Sequence, residues 1–171
     1  MALEAAIVAA ERNRERLLAE IPRGLLEREE RLINTFERHK GNAVNKLRAL
    51  YGVMDELYAV AKRFTPCGRG CASCCHYAVE LTALEIELIV RETGRKPLKV
   101  FGASRDFHGE PCPFLRDARC AIYDSRPYVC RRHFMFAPSS NWCVPELSMT
   151  RDFPLLSFTE IEKVLSKIVT L

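Results

Sequence analysis

Between Leu3 and Ile21 the apolar residues Leu3, Ile7, Ala10, Leu17, Leu18 and Ile21 fall at helical spacing, with Arg and Glu between them. That pattern predicts an amphipathic helix with one face toward a core. Pro22 and Gly24 punctuate the chain, and Leu25, Leu26, Leu32, Ile33 and Phe36 make a second stripe that breaks at Gly41-Asn42. The third stripe is the most regular. Leu47, Leu50, Met54, Leu57, Ala61 and Phe64 recur at alternating steps of three and four, an a/d pattern that suits a helix packed along one or two neighbours. Pro66 closes this region. Two uses of residues 1–65 are open, a partner-binding or dimerising coiled coil and an intramolecular helical hairpin covering the remainder of the chain. The short helices and the breakers between them favour the hairpin.

Beyond Pro66 the periodicity thins. Thr82 and Glu85 stand at capping-box spacing before Ile86, Leu88, Ile89 and Val90, and the helix they open should stop near Gly94. Residues 95–111 read as loop. Residues 112–156 hold five prolines and little period, so something other than a hydrophobic interior has to hold them. Phe134-Met135-Phe136 is a candidate short strand. Ser157 and Glu160 offer a second capping box ahead of a last helix with Ile161, Val164, Leu165 and Ile168 on one face.

Composition changes this picture little. The 171 residues are 48% hydrophobic, enough for a real core, and the net charge of +4 comes from 26 basic and 22 acidic residues. Neither residues 1–66 nor 67–171 is a polycation, so a nucleic-acid footprint is not expected. The N-terminal apolar run lacks a basic flank and is cut by Glu4 and Glu11, unlike a signal peptide. No run approaches the ~20 apolar residues of a membrane span. A cytoplasmic protein without a membrane partner is the expectation.

Cysteine changes the picture most. Eight lie between Cys67 and Cys143 and none elsewhere. In a reducing compartment such thiols serve as metal ligands or redox groups rather than as disulfides. Cys71-x-x-Cys74 has the spacing that aims two sulfurs at one ion, and Gly68 and Gly70 let the backbone turn there. Cys67 adds a third sulfur. Cys75, adjacent to Cys74, points elsewhere, which suits a second metal, a bridge or a reactive thiol. Cys112, Cys120, Cys130 and Cys143 are dispersed and converge only through the fold. Four thiolates on one divalent ion leave net negative charge, so the site needs cations or hydrogen-bond donors around it, and Arg69, Arg126, Arg131 and Arg132 stand near it in sequence. With eight sulfurs present, His76, His108 and His133 are not needed as ligands. Tyr123, Tyr128, Phe134, Phe136 and Trp142 supply a small aromatic core.

Cys67-x3-Cys71-x2-Cys74-Cys75-His76, Thr82-x2-Glu85, Cys112-Pro113-Phe114-Leu115 and Cys120-x-Ile122-Tyr123-x2-Arg126-Pro127-x2-Cys130-Arg131 together resemble the YkgJ-type cysteine-cluster (CxxCxxCC) family, a zinc- or iron-chelating domain. The resemblance spans about residues 66–145, with Cys143 as the eighth cysteine. It implies metal binding. A related cluster occurs in flagellin lysine methylases, where an iron–sulfur centre is implied, but no glycine-rich nucleotide motif is present here and that activity is not carried over.

The expected fold is mainly α. An N-terminal helical hairpin or bundle (1–65) packs on a small irregular cysteine-rich metal-binding domain with one or two helices (66–145), and a C-terminal helix (146–171) packs back on the domain. The expected function is metal binding through Cys67, Cys71, Cys74, Cys75, Cys112, Cys120, Cys130 and Cys143. The cofactor is an iron–sulfur cluster in a redox, electron-transfer or accessory role, or zinc in a structural module for protein–protein interaction. No acid–base pair stands out, so a stand-alone enzyme is not expected. A protein partner would engage the N-terminal helices.

Overall fold

A computed structural model describes residues 2–95, 109–148 and 153–170. Among these residues the fold is mainly helical. Helices α1 (Leu3–Glu20), α2 (Arg23–Glu30), α3 (Leu32–Arg38) and α4 (Ala43–Ala61) make the N-terminal part, and α5 (Ala83–Thr93), α6 (Tyr128–Arg132), α7 (Pro145–Ser148) and α8 (Thr159–Val169) come after it. A two-stranded antiparallel hairpin, β1 (Leu115–Arg116) with β2 (Arg119–Cys120), pairs Leu115 with Cys120.

Helix α4 is the axis of the molecule. Its a/d residues Leu47, Leu50, Met54, Leu57 and Ala61, and Phe64 in the 3₁₀ turn Lys62–Phe64 that follows, are all buried, and α4 meets α1, α5, α6 and α8. A period that alternates three and four keeps one face turned inward along the whole helix. Asn42 starts α4 by accepting a hydrogen bond from the Asn45 backbone N–H at 2.9 Å, which satisfies one of the free donors of the first turn. Helix α8 lies on α3 and α4 and also meets α2, burying Ile161, Val164 and Ile168 in the same core.

In α1, Ala6, Ala10 and Leu17 are fully buried, but Leu18, grouped with them by spacing, is 43% exposed. Successive helical residues differ by ~100° around the axis, so Leu17 and Leu18 cannot both face the core. The second stripe divides at Arg31 into two helices, α2 and α3, that bury Leu25, Leu32 and Phe36.

The capping box at Thr82 and Glu85 forms, and α5 ends at Gly94 in the left-handed region (φ 66°), where a residue without a Cβ is least strained. The box expected at Ser157 and Glu160 does not form. Ser157 instead donates to the Glu162 carboxylate at 2.9 Å. The Glu160 N–H in the first turn of α8 is met by Glu29 of α2 at 2.9 Å, so tertiary packing supplies the acceptor that the Ser157 hydroxyl would have supplied in a local box.

Phe134-Met135-Phe136 is not a strand. It runs on with Ala137 as buried irregular chain and is tied to α1 by Asn13, whose side-chain amide donates to the Phe136 carbonyl at 3.0 Å. The strand pair forms instead at residues 115–120, where Asp117 (φ 47°) and Ala118 (φ 55°) both adopt the left-handed conformation that a tight hairpin turn requires. Two-residue strands carry no alternation to read, and Asp-Ala is not a typical turn pair.

Two hydrophobic clusters result. The larger joins α1, α3, α4 and α8 to Phe134–Ala137 and Cys143, with Cys67 packed on its edge. The smaller consists of Ile89, Phe114 and Ile122, with Leu81, Cys112 and Cys120 against it. The longest stretch that lies outside the described residues is 96–108, which takes in most of the expected 95–111 loop.

Candidate metal centre

All eight cysteines are free thiols, and short local devices place them. The Cys71 N–H bonds to the Gly68 carbonyl at 3.1 Å, and Gly70 turns the chain at φ 98°. Ser73–His76 is a single 3₁₀ turn carrying Cys74 and Cys75. The Cys112 N–H reaches the Cys75 carbonyl at 2.7 Å, which docks the Pro113-Phe114 loop against that turn. Cys120 ends β2 and Cys130 lies within α6. Cys143 ends another 3₁₀ turn, Ser140–Cys143, and is 4% exposed. The Tyr77 hydroxyl fixes this last turn by donating to the Cys143 carbonyl at 2.6 Å.

The thiols sense one another's charge. Hydrogen bonding to Cys120 and Cys74, and then burial, push the Cys75 thiol up. The same contact with Cys75 draws Cys74 down to about 7 and Cys120 down to about 6, with burial opposing and the Arg126 charge assisting in both. The Cys75 thiol thus lies against both Cys74 and Cys120. Burial first, and then neighbouring thiolates, push Cys130 and Cys143 each to about 12. Burial also raises Cys67 and Cys112.

Of the four arginines near the cysteines in sequence, two stand by the thiols. Arg126 lies 3.8 Å over the Tyr123 ring and 5.6 Å over Tyr58, and its Nε donates to the Tyr123 carbonyl at 2.8 Å. Arg69 lies 4.6 Å over the same Tyr123 ring, pairs with Asp124 and lowers the Cys120 thiol. Arg131 is turned away. It is 5% exposed, pairs with Asp55, donates to the carbonyls of Arg126 (2.7 Å) and Asp124, and stacks 4.4 Å over Tyr51. Arg132 pairs with Glu162 at 3.4 Å on the surface.

The histidines contribute less. The His76 carbonyl accepts from the Gly109 N–H at 2.7 Å. The His133 ring meets Tyr77 edge-on at 5.3 Å, and burial, then Arg132, lowers its pKa. His108 lies outside the described residues.

Sequence reasoning missed a buried polar hub beside the cysteines. Glu85, 4% exposed, accepts from the Tyr51 hydroxyl and the Tyr128 N–H through Oε1, both at 2.8 Å. Its Oε2 accepts from the Thr82 N–H (2.8 Å) and hydroxyl (2.9 Å). One carboxylate thus joins α4, α5 and the start of α6, which carries Cys130. The only signal in the sequence was the capping-box spacing.

Among the described residues, which include all eight cysteines, no three His, Cys, Asp or Glu side chains are placed so that they could hold a metal ion. The donor chemistry nonetheless fits a thiophilic ion. The thiols are unpaired by disulfides, the Phe114 N–H points at Cys112 Sγ at 3.5 Å, and the Arg126 cation stands beside Cys74 and Cys120. The buried Tyr58 hydroxyl faces Tyr123 and lies within reach of the Cys67 charge. Backbone N–H groups and cations around sulfur are what a negatively charged metal–thiolate centre requires. Residues 66–146 match the CxxCxxCC family. The family is described as "Putative zinc- or iron-chelating domain", and the matched span coincides with the stretch on which the cysteine spacing carried the resemblance. No curated protein and no solved structure matches the chain. Among the described residues no helix is long and apolar enough to cross a membrane. The CxxCxxCC segment thus carries a metal-chelating signature, set against a helical body that lies mostly outside the match.

Proposed function

We propose that the CxxCxxCC segment holds an iron–sulfur centre through its cysteine thiolates and serves electron transfer or an accessory role for a partner protein. The observation that carries this reading is the neighbourhood of the thiols. Cysteines from the 67–75 turns, the 112 loop, β2, α6 and the 140–143 turn lie within charge reach of one another. Iron–sulfur clusters accept ligands scattered along a chain in this way, and their potentials respond to nearby charge and hydrogen bonds. Arg126, Arg69 and the Tyr58 hydroxyl are the groups that would set them.

A structural zinc module is the second reading. It is favoured by the small size of the inner core, in which three residues, Ile89, Phe114 and Ile122, are buried. Structural zinc supplies folding free energy where apolar burial is short. Protein purified without oxygen decides between the two. A brown sample with visible absorption and bound iron and sulfide supports the iron–sulfur reading. A colourless sample with stoichiometric zinc supports the structural one. A folded, colourless and metal-free protein that takes up neither metal refutes both.

A further inference from the structure

We infer that Arg131 is a positioning residue for the metal centre: its buried guanidinium holds residues 124–130 against α4 and thereby fixes where the Cys130 side chain and the Arg126 cation stand. This deepens the metal-binding proposal and rests on it. The first support is burial. Among the described residues the buried polar or charged side chains are Glu85, Ser125 and Arg131, and all of them fasten this one stretch to the helical body. Ser125 donates to the Glu92 carboxylate of α5 at 2.8 Å. Glu85 of α5 accepts from the Tyr128 N–H at 2.8 Å. Arg131 donates from Nε to the Arg126 carbonyl at 2.7 Å, from Nη2 to the Asp124 carbonyl and from Nη1 to Asp55 of α4. Burying a polar group is costly unless it is bonded, and here that cost is met on a single short segment.

The second support is that this segment cannot place itself. Helix α6 is five residues long, and its N-cap, Pro127, gives no side-chain cap. A helix that short has no stability of its own in water. Tertiary bonds have to set both its position and its rotation. Arg131 turns to α4, where it lies 4.4 Å over the Tyr51 ring, and the Tyr51 hydroxyl donates to Glu85 at 2.8 Å. Neighbouring helical residues stand ~100° apart around the axis, so anchoring Arg131 on α4 fixes the direction of Cys130. Arg126 is held at both ends. Its carbonyl accepts from Arg131, while its own Nε donates to the Tyr123 carbonyl at 2.8 Å and its guanidinium lies 3.8 Å over the Tyr123 ring. Arg131 directs its donors to two carbonyls and Asp55, so its effect on the thiols passes through the main chain. A planar guanidinium can serve three acceptors from three nitrogens, and the single ammonium of a lysine cannot replace that fork.

The test is cobalt(II) binding to the reduced, metal-free full chain without oxygen, read by thiolate-to-cobalt charge-transfer absorption and by competition with a chelator. Arg131→Met should lower the cobalt affinity by about 10–100-fold, the range for residues that orient ligands without touching the ion. Arg131→Lys keeps the charge but not the fork and should still lose about 10-fold. Leu25→Ala is the control. It empties a buried position in α2, outside the matched segment, and should lower the urea midpoint at least as far as Arg131→Met while leaving the cobalt affinity unchanged. An equal loss of affinity in Leu25→Ala makes Arg131 a general stabiliser and overturns the proposal. Full affinity in Arg131→Lys overturns it in favour of a charge effect. Should Arg131→Met lose its helical circular dichroism, Arg131→Lys against Leu25→Ala makes the same comparison. Unchanged affinity in Arg131→Met overturns the positioning role and leaves metal binding standing. No cobalt uptake by the unsubstituted chain overturns the metal-binding proposal itself, and this one with it.

Discussion

Replacing Glu85 by glutamine keeps the size of the side chain but removes one acceptor from a site that uses both carboxylate oxygens. Oε1 serves the Tyr51 hydroxyl and the Tyr128 N–H, and Oε2 serves the Thr82 N–H and hydroxyl. Tyr51 does donate, because burial first, and then the Glu85 charge, pushes its ionisation upward and keeps the proton on. Whichever way the amide turns, its amino group faces a backbone N–H. An unmet buried donor costs about 1–3 kcal/mol. The remaining oxygen also loses the charge assistance that separates a charged from a neutral hydrogen bond, about 1 kcal/mol. Glu85→Gln should therefore destabilise the fold by about 2–4 kcal/mol. Tyr51→Phe should cost about 1.5–3 kcal/mol as the loss of one bond to a charged acceptor. Because the two act on one bond, the double variant should fall short of the sum by about 1 kcal/mol. Urea unfolding monitored by circular dichroism measures all three, with metal content held fixed because a bound ion stabilises the native state by mass action. A Glu85→Gln cost below about 0.5 kcal/mol, within the range of ordinary surface changes, would refute the hub, as would strict additivity with Tyr51→Phe.

Four further outcomes are expected. Leu17→Ala should cost about 2–5 kcal/mol as a fully buried leucine, while Leu18→Ala next to it should stay within about 0.5 kcal/mol; similar thermal shifts for the two would mean that α1 is rotated. Glu29→Ala should cost about 0.5–2 kcal/mol by uncapping α8 across the fold, and Ser157→Ala should cost less in the same denaturant assay. Arg131→Met should destabilise by about 1–3 kcal/mol because the Asp124 and Arg126 carbonyls lose their donor; Asp55, more than half exposed, should cost less than that, about 1 kcal/mol or below, on conversion to Asn, and equal losses in the two would contradict the buried placement of the guanidinium. Metal occupancy should fall as the pH is lowered, because protons compete with the ion for thiolate, and loading that stays constant from neutral to mildly acidic pH would argue against thiolate ligation.

The sequence by itself determined the elements whose signals are local. The stripe from Leu47 to Phe64 is buried as its spacing predicts, and Thr82, Glu85 and Gly94 bound α5, because helical period and end-capping are settled within a few residues of chain. The metal-chelating character of residues 66–146 was legible for the same reason, since thiols, their spacing and their neighbours are all written in sequence. Tertiary structure alone decided which distant groups meet. Glu29 caps α8 from 131 residues away, Arg131 turns to Asp55 rather than to the thiols, Leu18 faces out while Leu17 faces in, and Cys67 and Cys112 pack on different hydrophobic clusters. Such encounters depend on the path of the loops and on competition for burial around α4. A carboxylate, a guanidinium or a thiol has the same local grammar whichever partner the folded chain brings to it.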